Sequence, residues 1–125
     1  MTFSLARFFI VIAVAAAANV LVHLVGSAVG AGMAVTMSGG MDVALPAAFV
    51  ATVAPLALAG ILAWLVTRRW VRVLPFARVG GLVVAAASAV MPLIVAVDTP
   101  TAAALAAMHL VAGAAWYVGT RPRVS

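Results

Sequence analysis

The stretch Val97-Asp98-Thr99-Pro100-Thr101 decides how the chain is read. Asp98 is one of only two acids in the protein. Thr99 is a good helix N-cap, and Pro100 suits the first helical position, where its missing N–H has no partner anyway. From Pro100 the chain is almost wholly apolar through Met108-His109-Leu110 to Trp116-Tyr117 and Gly119. A helix over 100–119 is about 30 Å long at about 1.5 Å per residue, the thickness of a bilayer's hydrocarbon core. The stretch therefore predicts a membrane-spanning helix that starts at an acidic turn and holds a histidine inside it.

Three more runs of this kind lie upstream. The first covers about 8–26, with Arg7 at its start. Its short basic lead resembles a signal peptide, but it is longer than the usual apolar region of one and carries Asn19 and His23, so a retained span is expected. The connector 27–45 follows, where several glycines and the Ser38-Gly39-Gly40 turn signal break the helix. Its methionines Met33, Met37 and Met41 suit a segment resting on the membrane interface, and it is expected to be the least ordered part of the chain. The second run, 46–67, opens at Pro46 and holds Pro55, which predicts a kink. A loop over 68–78 carries Arg68, Arg69, Arg72 and Arg78, with Trp64 and Trp70 beside it as an aromatic belt. The third run is 79–97, with Met91-Pro92 near its end.

Composition leaves lipid as the solvent. Of 125 residues 68% are hydrophobic and 7% charged, against about a quarter charged in ordinary sequence. So short a chain cannot bury that much apolar surface by itself. The expectation is one domain, 1–125, an all-α integral membrane four-helix bundle whose first partner is the lipid bilayer. The net charge of +5 comes from seven arginines, all at the ends of apolar runs. That placement marks topology and excludes a nucleic-acid face. Arg7, the 68–78 loop and Arg121 with Arg123 fall on one side of a four-span chain, and the connectors bearing Asp42 and Asp98 on the other. Both termini are thus expected to be cytoplasmic, N-in and C-in, in the plasma membrane of a bacterium.

Polar side chains inside lipid are costly, so they point to a site. At about 1.5 Å per residue from the outer ends, Asn19 lies roughly 12 Å deep, His109 roughly 13 Å, Thr52 roughly 9 Å and Ser88 roughly 15 Å. These four form the candidate intramembrane cluster, with His23, Asp98 and Thr99 at its mouth. Asn19, His23, Gly26 and Gly30 follow one helical stripe, and Gly81, Ala85, Ser88 and Pro92 another, both expected to face the bundle interior. The cluster either forms an outward pocket with His109 as its titratable group, or serves as interhelical glue worth about 0.6 to 2 kcal/mol per bond.

Sharper chemistries fit less well. His23 and His109 differ in depth by roughly 7 Å, too far for a shared haem. Two histidines and a nearby aspartate fall short of a zinc site, and no cysteine is present for thiol ligation or disulfides. Both acids sit at the boundary, where a proton-coupled exporter would place a carboxylate mid-membrane. No metal and no cofactor is expected, and no nucleophile has a base beside it.

Asp98-Thr99 with Leu105-Ala106-Ala107-Met108-His109-Leu110-Val111 resembles a family of uncharacterised bacterial four-helix membrane proteins, a domain of unknown function typical of GC-rich Gram-positive bacteria. The likeness takes in Ala18-Asn19-Val20-Leu21, the Gly60 to Arg68-Arg69 end of run two, and Ser88 to Met91-Pro92-Leu93. It implies four spans and a plasma-membrane location, and it supplies no activity. Two functions from different classes follow. One is a non-catalytic accessory protein that binds a second copy or another membrane protein. The alternative is a small transporter or channel with an outward pocket around Asn19 and His109.

Overall fold

Each apolar run is helical and starts before its expected first residue; the first two also run past their expected ends, the third stops short at Val95 and the fourth ends at Gly119 as expected. In the computed structural model, which describes residues 2–36 and 41–124, α1 is Leu5–Ala28, α2 Leu45–Arg69, α3 Leu74–Ser88, α4 Val90–Val95 and α5 Thr99–Gly119. Among the described residues four helical stretches are long and apolar enough to cross a membrane: α1, α2, Val71–Val95 (which contains α3 and α4) and α5. The fold is all-α, as the composition implied.

The third span is broken at Ala89. Pro92 has no N–H to give to the Ser88 carbonyl, and its ring crowds that carbonyl, so the helix restarts there. By contrast α2 runs unbroken through Pro55. The 68–78 segment is not an open loop either. α2 carries on to Arg69, Val71–Val73 makes one 3₁₀ turn, and α3 starts at Leu74 with Pro75 in its first turn.

The helices lie in the order α2, α1, α5, then α3 with α4, so α1 and α5 form the centre. α2 and the α3–α4 limb are consecutive in the chain but scarcely touch. The two ends of the molecule are built differently. At one end Phe3, Phe8, Ile12, Leu74 and Trp116 pack together. The Phe8 ring fills the space that side chains on Gly60 and Gly119 would need, and Trp116 does the same at Gly81. Phe8 meets Trp116 edge to face at 5.9 Å, and the Trp116 indole donates to the Ala77 carbonyl at 2.9 Å. This end also gathers the arginines. Arg7 donates to the Arg121 carbonyl, and Arg78 donates to the Tyr117 carbonyl at 3.1 Å while lying over its ring at 4.2 Å. Both cations sit where the dipole of α5 is negative.

The opposite end is closed by backbone pairing. The connector expected as loose carries β1 (Ala34–Val35) and β2 (Met41–Asp42), paired antiparallel, with 37–40 outside the described residues. β1 also pairs with the extended link between α4 and α5: Thr36 N–H donates to the Val95 carbonyl at 2.8 Å, and Val97 N–H to the Ala34 carbonyl at 3.1 Å. Ala31, Met33 and Val35 are buried against Ala48, Ala104, Leu105 and Met108. The described part of the segment is thus a packed cap. Ser38-Gly39-Gly40 reads in the sequence only as a helix break, although a Gly-Gly pair with Val35-Thr36 before it and Val43 after it also suits a strand pair.

Candidate functional site: a lateral cavity under the hairpin

The gap between α2 and α4 is a cavity of about 390 Å³ in the hairpin half. α1 and α5 form its back wall through Asn19, Leu105, Met108, His109 and Ala112. Ala48, Ala51 and Thr52 of α2 face Met91, Pro92 and Val95 of α4 across it, and Val35 and Val43 roof it. The α5 residues follow i, i+3, i+4, i+7, which puts them on one face of that helix. The residue after β2 and those of β1 lie over the top, so the opening is sideways, between exposed Ala51 and exposed Met91. Ordinary ligand cavities begin at about 300 Å³, so this one is large enough to hold a small molecule.

Three polar side chains line it. The Asn19 amide nitrogen donates to Thr52 Oγ1 at 2.8 Å and to the Met108 carbonyl at 3.4 Å. Thr52 in turn donates to the Ala48 carbonyl at 2.8 Å, so it has no proton left for Asn19 and can only accept from it. The amide orientation is therefore fixed, and Asn19 Oδ1 is the free atom: it is buried and has no partner among the described residues. His109 Nδ1 lies 2.7 Å from the Leu105 carbonyl. A carbonyl only accepts, so Nδ1 carries a proton, and in that tautomer Nε2 is an acceptor. His109 bonds its own helix, and the partner of Asn19 is Thr52 rather than His109.

The other sequence candidates lie elsewhere. Ser88 donates to the Ala85 carbonyl at 2.8 Å and is not on the cavity wall. His23 is buried one turn above Asn19, with Nε2 donating to the Val43 carbonyl at 2.7 Å. It anchors the strand that roofs the cavity. Thr99 is exposed in the first turn of α5, and the N-cap is Asp98 one residue earlier, because its carboxylate accepts the Thr101 N–H at 2.8 Å. The other Asp98 oxygen accepts the Gly32 N–H at 3.2 Å, and Thr101 Oγ1 accepts the Met33 N–H at 2.9 Å. Asp98 thus clips the cap to α5. The Thr101 N–H and hydroxyl, then the Gly32 N–H, hold its carboxyl below the ordinary value of 3.8. Of the stripes, Asn19, His23 and Gly26 are buried, while Gly30 lies past the helix end. Gly81 and Ala85 face Trp116 and Gly113 of α5.

Sequence reasoning missed the cavity itself, since no residue pattern states that α2 and α4 stay apart. The signal nearest to it was Pro92, which ends α3 and lines the gap.

Four helical stretches long and apolar enough to cross a membrane make this a small multi-pass membrane protein. Within that class the chain belongs to the Family of unknown function (DUF6069), whose sequence profile matches residues 2–125. Comparison with curated proteins and with solved structures found no match.

Proposed function

We propose that this is a non-catalytic binding protein of the bacterial plasma membrane, with both termini cytoplasmic, which holds a membrane-dissolved molecule in its lateral cavity. The observation that carries this reading is the shape of the polar region. The cavity stops one helical turn from the aromatic plug, since Ala112 is followed by Trp116 on α5 and Thr52 by Leu56 on α2, both packed in the plug. A solute path needs polar groups or water through both halves, because unmet polar groups in lipid are expensive. Here the cavity's polar side chains, Asn19, Thr52 and His109, lie in the hairpin half, while the buried Thr67 and Thr120 of the other half sit at its far end and bond carbonyls of their own helices. That favours binding over the transporter or channel alternative. The orientation rests on the arginines, which gather at the end opposite the hairpin.

An accessory role toward a second copy or another membrane protein fits the same reading, and purification in mild detergent identifies such a partner directly. The decisive experiment compares sealed liposomes with and without the protein. The expected result is unchanged permeability to protons, alkali cations and halides, together with binding of an apolar probe that Ala51→Trp, at the cavity mouth, prevents. A protein-dependent ion flux that Ala51→Trp blocks would overturn the proposal in favour of transport.

A further inference from the structure

Resting on the cavity-binding reading, we infer that the occupant is a single-chain amphiphile with an uncharged hydrogen-bond-donor head: a long-chain alcohol. Two side chains on the cavity wall, Asn19 and His109, set the chemistry of its occupant. Asn19 Oδ1 is buried without a partner among the described residues, and in the Nδ1–H tautomer that bonds Leu105 the other His109 nitrogen, Nε2, is an acceptor. Both are acceptors. Both residues line the same cavity, and the Asn19 amide nitrogen bonds the carbonyl of Met108, the residue before His109. A buried acceptor without a donor is costly, so the complement of this pair is an O–H or N–H.

Charge narrows the choice. A carboxylate would add a third acceptor where two already lack donors. An ammonium would be a buried charge, and the cavity wall holds no Asp or Glu to pair with it. A hydroxyl supplies a donor at no charge. The rest of the wall is apolar, with Val35, Leu105, Met91 and Val95 among its residues, and suits an alkyl chain. A dry cavity of roughly 150 Å³ takes a benzene-sized ligand, so about 390 Å³ takes a considerably longer segment. The remainder of the tail leaves between Ala51 and Met91, into lipid.

Interhelical glue does not account for these facts equally well. The bonds to Thr52 and Met108 use only the amide nitrogen of Asn19 and leave its oxygen without a partner among the described residues. The oxygen is the part the fold does not use.

The test uses the full chain in nanodiscs with nitrogen-labelled amides and labelled methionine methyls. Asn19 is the protein's sole carboxamide side chain, so its NH₂ pair is identified without ambiguity. Met91 and Met108 report filling of the cavity. Dodecanol should shift both methyls and the Asn19 pair saturably. Dodecane should shift the methyls alone and bind about tenfold more weakly, the worth of one buried hydrogen bond. Asn19→Leu should reduce the affinity for dodecanol to that for dodecane. His109→Phe leaves the Asn19 bonds in place and should also lower it, which keeps the test open if the first variant does not fold. Equal affinity of the wild-type protein for dodecanol and dodecane would overturn the donor-head assignment and leave the cavity reading standing. If neither compound shifts Met91 or Met108, both fall.

Discussion

The two halves of this membrane protein are held together by different physics. The arginine half is packed: Phe3 and Phe8 are almost wholly buried, and glycines on three neighbouring helices make room for two aromatic rings. The hairpin half is bonded: a strand pair, the α4–α5 link and the Asp98 clip join two connectors through backbone groups, and a cavity is left beneath them. Lipid gives no hydrophobic drive for helices to associate with one another, so close fit and hydrogen bonds must do so. Close fit leaves the arginine half only an open, wholly apolar groove along α1 and α5, between Ile10, Val14, Val111 and Val118. Hydrogen bonds between connectors tolerate a gap below, which is why the cavity is found at that end.

This contrast is open to mutation, and the largest effect belongs to the packed half. Phe8→Ala removes a fully buried ring from between α1, α2 and α5 and should cost roughly 3 to 5 kcal/mol of unfolding free energy in mixed micelles. A loss below about 1 kcal/mol would mean the plug collapses around the gap and is not closely fitted. Next, Gly81→Ala drives a methyl into the Trp116 indole and strains its bond to Ala77, for about 1 to 3 kcal/mol. Its neighbour is the control. Gly80 has open space over its Cα, so Gly80→Ala should be neutral or slightly stabilising in the same assay. Equal effects at the two glycines would show that helix propensity, and not the ring, decides.

In the bonded half single changes should be milder. Asn19→Ala loses the bonds to Thr52 and Met108 but also removes the unpartnered oxygen, and about 1 kcal/mol is expected. A cost as large as that of Phe8→Ala would make Asn19 a structural keystone.

The smallest effect is pH-dependent. Asp98 is held below its ordinary value by the Thr101 N–H and hydroxyl and by the Gly32 N–H. A carboxylate with a depressed folded value stabilises fully above its unfolded value, and that contribution fades as pH falls through the folded one. Hydrogen exchange at the Gly32 and Thr101 amides, corrected for intrinsic rates, should therefore show protection that is constant from neutral pH down to 3.8 and lost below it. Asp98→Asn should remove this dependence. Protection already lost well above 3.8 would contradict the clip.

The difference between the halves also explains what could be read from the chain alone. The spans were legible because apolar length is a local property, and the arginine end because charge placement is too. The hairpin was half legible: its turn signal was evident, but glycines and methionines read as a loose interfacial segment, and nothing local says that Val35 pairs with Ala96. The N-cap shifted from Thr99 to Asp98 because two good caps stand side by side, and the one whose carboxylate also reaches Gly32 was chosen by tertiary contact. Asn19 and Thr52 stood out as polar groups at similar depth, and the structure places them within hydrogen-bond distance. Ser88 stood at similar depth but lies off the cavity wall. Depth is set by sequence position, whereas the facing of each helix depends on neighbours.

The central claim is a cavity that opens sideways into lipid and is closed toward the arginine end. Cysteine accessibility at Ala51 tests it most directly, since the chain has no cysteine of its own. Thr36→Cys and Arg123→Cys mark the two faces, outer and cytoplasmic in the proposed orientation. In intact vesicles the account predicts that Ala51→Cys resists a charged, membrane-impermeant thiol reagent from either face and is modified by a lipophilic maleimide dissolved in the bilayer. Dodecanol should slow that modification. Rapid reaction with the charged reagent from the hairpin side would mean a water-filled outward pocket, and would contradict the account.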